Sequence, residues 1–150
     1  MKAIKINTTL YSFNSIDDLP ANVHDLMNQA IQIRSKAYAP YSKFQVGAAV
    51  LLKSGIVVLG SNQENAAYPS GLCAERTAVF AAGANYPNDK IICICISASS
   101  TLKDTLEPIP PCGACRQSLL EYENKQKSNI PIYFMGKSGE VVQSPSIQNL

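Results

Sequence analysis

Five cysteines and a single histidine are the side chains in this 150-residue chain with the clearest capacity for chemistry. Cys112 and Cys115 sit three apart in PPCGACRQ (110–117). On the first turn of a helix an i, i+3 pair shares one face. Pro111 suits the start of such a helix, where its missing N–H is not required. The free N–H groups and positive dipole end there favour thiolate over thiol. Two thiolates so placed can hold a metal ion. A redox pair has the same spacing, and two cysteines that merely pack at a helix start would also satisfy it.

Zinc needs three or four ligands drawn from thiolate, imidazole and carboxylate. Cys93 and Cys95 alternate in the apolar run KIICICISAS (90–99), so both face one side of a strand and read as core thiols. His24 stands mid-helix near Asp25 and Asn28, on a solvated face, and is not expected to be a ligand. That leaves Cys73 in LCAER, which also opens a helix. Two helix N-termini converging on one ion would supply three thiolates and leave a fourth position open, the catalytic arrangement. Glu75 alone is an ordinary acid in a first helical turn. Residues two apart point in nearly opposite directions on a helix. Cys73 and Glu75 therefore serve one site only if it lies off the helix end, and beside an open zinc Glu75 reads as a general base.

The elements that must position these groups follow from hydrophobic spacing. Residues 20–38 carry Val23, Leu26, Met27, Ala30 and Ile31 at helical intervals, and Pro40 ends the pattern. FQVGAAVLLKSGIVVLGSNQE (44–64) reads as a hairpin around Ser54-Gly55. Residues 71–84 read as a helix with Gly83 near its end, and 90–99 as a strand buried on both faces. A proline-bearing loop (101–111) precedes a helix beginning at Cys112. NIPIYFMGKSGEVVQ (129–143) gives a strand, a turn and a short strand. The order α-β-β-α-β-α-β-β describes an α/β domain with helices on both faces of its sheet. Residues 1–14 add an edge strand or an arm. No linker divides the chain, so residues 1–150 are expected to form one domain.

Composition sets limits on partners. Hydrophobic residues make up 46% and charged residues 16%, the profile of a compact protein. A net charge of +2 lacks the clustered basic surface that polyanions require, so no nucleic acid partner is expected. The apolar runs are shorter than a membrane span, and the N-terminus lacks the apolar core of a secretion signal. The cytoplasm is the expected location, and an odd cysteine count argues against a disulfide framework.

Four blocks then converge: YAPYSKFQVGAAV (38–50), NQENAAYP (62–69), CAERTA (73–78) and PCGACRQ (111–117). In this order and spacing they resemble the zinc-dependent cytidine deaminases, in the short form whose zinc has three cysteine ligands. The resemblance implies a three-layer α/β/α fold with a mixed sheet of roughly five strands. It implies one Zn²⁺ per subunit on Cys73, Cys112 and Cys115, with Glu75 as the proton shuttle. It further implies Asn62 and Glu64 on the ribose hydroxyls, Phe44 against the pyrimidine, and the backbone of Ala74 at the base. Asn62 and Glu64 would also serve as a polar strand exit, and Phe44 as a core residue at a strand start. Tyr68 matches either a subunit-boundary or a turn-packing tyrosine. The implied activity is hydrolytic deamination of cytidine and 2′-deoxycytidine in pyrimidine salvage, by a homotetramer. Members of this form carry a C-terminal segment with a Leu-Pro pair and a Phe that reaches a neighbouring subunit. This sequence ends SPSIQNL, so that contact is left unassigned.

Three thiolates on Zn²⁺ carry a formal charge of about −1, which weakens its acidity toward water. Something positive must draw charge from the sulfurs, and Arg76 is the first candidate, Arg116 the second. A polynucleotide-editing deaminase, an enzyme of a nucleoside analogue, and a binding module with a structural zinc are the alternatives. The last would need a fourth protein ligand.

Overall fold

The spacing at Val23, Leu26, Met27 and Ala30 forms a helix, α1 (Ala21–Arg34), and all four side chains are buried. The molecule is described by a computed structural model of residues 1–150. The hairpin is present as β2 (Phe44–Leu52) and β3 (Val57–Ser61). Its turn places Gly55 at φ +89°, a left-handed conformation that glycine adopts without steric cost. Helix α2 (Ala74–Asn85) follows, then β4 (Ile91–Ser100), α3 (Gly113–Gln126), β5 (Ile132–Met135) and β6 (Val141–Ser144).

A sixth strand, β1 (Tyr11–Phe13), pairs antiparallel with β6, so the segment before α1 supplies an edge strand. The sheet order is β1-β6-β5-β4-β2-β3. Only β4 and β5 run parallel, and α3 makes the crossover that such a pairing demands. The expectation of roughly five strands thus becomes six. The three residues of β1 carry too little alternation to be read from sequence.

Period-two alternation along β2 and β4 divides the interior. Ala48, Val50 and Leu52 with Ile94 and Ile96 face α2 and α3 in one apolar cluster. Ala49, Cys93 and Cys95 face α1 in another. Burying an aliphatic side chain fully is worth about 1.5–3 kcal/mol. Large side chains such as Met27, Leu52, Ile94 and Leu119, all under 2% exposed, therefore fix both helix layers to the sheet.

The topology dictates where a site can form. Strand β2 is antiparallel to both of its neighbours, β3 and β4, so those two strands end on the same side of the sheet. The chain turns from β3 into α2 and from β4 into α3, and both helices return across the same face. Their N-termini are thereby brought together at one sheet end, next to Phe44 at the start of β2. The approach of α2 is close: a Cβ on Gly60 of β3 would lie 2.5 Å from Ala78 N and 2.6 Å from Ala74 O.

Candidate active site

Cys73 is the N-cap of α2 and Cys112 the N-cap of α3, both with extended backbone, while Cys115 lies in the first turn of α3. The three sulfurs lie within 4.8 Å of one another, and Cys73 Sγ is 3.9 Å from Cys112 Sγ. Tetrahedral zinc with Zn–S bonds of about 2.3 Å places its sulfurs about 3.8 Å apart. The cluster therefore fits zinc. It includes three sulfurs and no fourth histidine, aspartate or glutamate atom, and all five cysteines are free.

Hydrogen bonding from the Cys115 thiol holds the Cys73 thiol down at about 5, with Arg76 adding to the effect and burial opposing it. The same bond to Cys73 pushes Cys115 up, as does burial. A cluster that already stabilises one thiolate is suited to a divalent cation.

Glu75 is 5% exposed, and burial pushes its carboxyl up to about 6. Its apparent conflict with Cys73 is resolved by position. Cys73 stands before the helix and Glu75 within its first turn, so both border one cavity beyond the helix end. That cavity, of about 780 Å³, is also walled by Cys112, Phe44, Asn62 and Glu64. Arg76 Nη2 donates to Cys73 Sγ at 3.6 Å, and its buried Nε has no hydrogen-bond partner. Arg116 is engaged elsewhere. Its Nε donates to Pro111 O at 2.8 Å and its Nη1 to the carbonyl of Leu150, so the second candidate for the sulfurs is bound to main chain instead.

Asn62 bridges strands: its Oδ1 accepts from Val46 N at 2.8 Å and its Nδ2 donates to Phe44 O at 2.9 Å. An amide has two hydrogens and two acceptor lone pairs, so one of each remains for the cavity. The Glu64 carboxylate accepts from Tyr41 N at 2.9 Å, from Ser42 N at 3.3 Å and from Ser42 Oγ. The Ser42 hydroxyl bond chiefly holds its pKa below the ordinary carboxylate value. The polar strand exit and a cavity-facing pair are thus one arrangement. Ala74 is fully buried with its methyl in the core. As the first helical residue it keeps a backbone N–H with no intrahelical acceptor. Tyr68 borders the cavity and is 80% exposed. His24 on α1 lies beside Asp17 and Asp25, across the sheet from Cys73, Cys112 and Cys115.

The sequence reading missed Tyr41 and Ser42, which hold Glu64, and Ile109 and Pro110, which complete the cavity wall. Ser42 carried a signal: its Oγ accepts from Phe44 N two residues on, a local turn that serine favours before a strand. Next to it Lys43 adopts φ +57°, an uncommon conformation for a residue with a side chain. Ile109 and Pro110 had no signal beyond adjacency to Cys112.

Known proteins share this arrangement of chain. The family described as the cytidine and deoxycytidylate deaminase zinc-binding region matches residues 20–128. A cytidine deaminase of Halalkalibacterium halodurans is 51% identical over 96 residues, covering 64% of this chain and 68% of that protein. One from Sporosarcina psychrophila is 37% identical over 123 residues, covering 82% and 84%. The crystal structure of cytidine deaminase from Burkholderia pseudomallei superposes with a TM-score of 0.71 at 37% identity, over 85% of this chain and 94% of that one. Three sulfurs at two helix starts, a buried carboxylate beside them and a match spanning most of the chain lead to one conclusion: the protein belongs to the zinc-binding cytidine and deoxycytidylate deaminase family.

Proposed function

We propose that the protein is a zinc-dependent hydrolase that converts cytidine and 2′-deoxycytidine to uridine and 2′-deoxyuridine with release of ammonia, in pyrimidine salvage. The observation that carries this reading is the buried carboxylate of Glu75 in the cavity walled by Cys73 and Cys112, beside a sulfur cluster with no fourth side-chain ligand. When bound, zinc supplies a Lewis acid that makes water a nucleophile near neutral pH.

The chain's own residues supply the rest. Cys73, Cys112 and Cys115 hold the metal. Glu75 accepts a proton from the attacking water and delivers it to ring N3. It then carries the second proton to the departing amine, so water's two hydrogens are accounted for. Burial favours its neutral form, which suits a group that must give the proton back. Phe44 lies against the pyrimidine, and the free N–H of Ala74 receives a polar edge of the base. Asn62 offers one donor and one acceptor to the ribose diol, and Glu64 keeps a lone pair beyond the three contacts it already accepts. Its negative charge disfavours a phosphorylated sugar. Arg76 draws charge from Cys73 and offsets the excess of the three sulfurs.

The reading extends to a single domain over residues 1–150, a homotetramer and a cytoplasmic location. No helix is long and apolar enough to cross a membrane. The decisive experiment is a deamination assay followed by ultraviolet absorbance on cytidine, deoxycytidine, cytosine and CMP, with zinc stoichiometry measured in parallel. One zinc per chain and turnover of the two nucleosides are expected. A zinc-loaded protein inert toward both would end the proposal.

A further inference from the structure

A second cavity, of about 580 Å³, lies on the other face of the sheet, at the same end as the catalytic one. Gln45 and Ser99 are paired in register between β2 and β4 and border this second cavity. Their sequence neighbours Phe44, Val46 and Ala98 border the first. The two cavities are therefore separated by one thickness of sheet.

The wall of the second cavity is cationic. Arg34, Lys103 and Lys137 line it, against the one acid Asp104, which lies 3.8 Å from Lys137. Arg34, the last residue of α1, is half-buried, and burial lowers its pKa from the ordinary value. Its Nη1 donates to Ser97 Oγ at 2.6 Å, and Ser97 Oγ donates onward to Gly136 O at 3.0 Å. No carboxylate lies within ion-pair distance of it. A partly desolvated guanidinium without a counter-charge is costly, and it retains a fork of donors suited to a planar or tetrahedral oxyanion. Ser35, Ser99 and Thr101 border the same space with their hydroxyls donating to the carbonyls of Gln32, Ser100 and Lys43, so the donors left for a ligand are those of the three cations. None of these residues has a part in the catalytic cavity.

We propose that this pocket binds the phosphate group of a soluble phosphate ester. The lining cations exceed the lining carboxylate by two charges, which matches a phosphate monoester dianion better than a singly charged carboxylate. The volume exceeds that of inorganic phosphate and falls in the range of small-metabolite sites. The guanidinium, fixed at one nitrogen by Ser97, receives two oxygens of the ester, and Lys103 and Lys137 close over it from the loop after β4 and the turn after β5.

Calorimetric titration of the zinc-loaded chain with ribose 5-phosphate, a phosphate ester without a base, tests this. Saturable binding with one site and a Kd below about 1 mM is expected. The double substitution of Lys103→Gln with Lys137→Gln, both exposed, should weaken it at least about 10-fold while leaving melting temperature and cytidine turnover unchanged. Arg34→Lys keeps the charge but loses the fork, and should weaken binding again. Absence of saturable binding, or wild-type affinity in the lysine double variant, overturns the proposal. So does co-sedimentation with phosphatidylglycerol vesicles that free ribose 5-phosphate fails to compete away, because the site would then serve a lipid surface.

Discussion

Arg76 Nη2 donates to Cys73 Sγ at 3.6 Å, from the helix turn that Cys73 itself caps. The guanidinium is held over the sulfur cluster by local chain geometry, with its Nε buried and unpartnered. A cation so placed would lower the charge that the sulfurs present to a bound metal.

Replacing Arg76→Gln should leave zinc content near one per chain and lower kcat by roughly 10- to 100-fold. That is the scale of one hydrogen bond to a charged group, about 1.5–3 kcal/mol. Kinetics over a pH series check this. An unchanged rate and profile would remove Arg76 from the electrostatics of the site.

Glu75→Gln keeps the volume of a buried side chain and removes its ability to accept a proton. Zinc binding should persist while kcat falls by at least about 10²-fold, the usual scale for losing a general base. Metal analysis paired with ultraviolet turnover makes the distinction. Near-normal turnover would transfer the proton shuttle to another group.

Burial pushes the Cys93 thiol up to about 11 and raises Cys95 as well. A thiol with a raised pKa stays protonated and unreactive below that value. After chelation of zinc, iodoacetamide at neutral pH should label Cys112 and Cys73 and spare Cys93 and Cys95 until the fold is denatured. Peptide mass spectrometry reads the pattern directly.

Glu123 is 6% exposed on α3 and accepts from Ile130 N at 2.7 Å, Ile147 N at 2.9 Å and Gln148 N at 3.2 Å. Its carboxylate ties the loop before β5 and the C-terminal turn to the helix. Glu123→Ala orphans buried donors at a cost of about 1–3 kcal/mol each. A fall in melting temperature of several degrees and faster amide exchange at Ile147 and Gln148 should follow.

Gly60→Ala forces a methyl to within 2.5 Å of the α2 backbone, which has no flexible end to yield. The helix must shift, and Cys73 shifts with it. We expect weaker zinc retention in a competition titration with a chelator, together with lost activity, even though Gly60 borders neither the metal nor the cavity.

Much of this arrangement was legible in the residues. The spacing from Val23 to Ala30 reads as a helix and the nearly continuous, Ile-rich run that opens β4 as a buried strand, and both elements formed as read. That Cys73 and Cys112 could share an ion was open because both stand at helix starts, and the resemblance to the deaminases singled the pair out. What the sequence withheld, β1 apart, were partners. Nothing in the letters says that Arg116 turns toward the Leu150 carbonyl while Arg76 turns toward sulfur, because both follow a cysteine-bearing helix start. Likewise Glu123 looks like one more surface acid until the C-terminal turn closes over it. β1 is only three residues long and becomes a strand because β6 offers it an open edge.

Cys73 and Cys112 stand 39 positions apart, on separate helices joined through the central strand. An ion shared between them acts as a removable clasp on a chain loop of that length. Closing a loop of this size costs a flexible chain on the order of 3 kcal/mol of entropy. Metal supply therefore sets more than turnover: the protein's resistance to heat should rise and fall with free zinc.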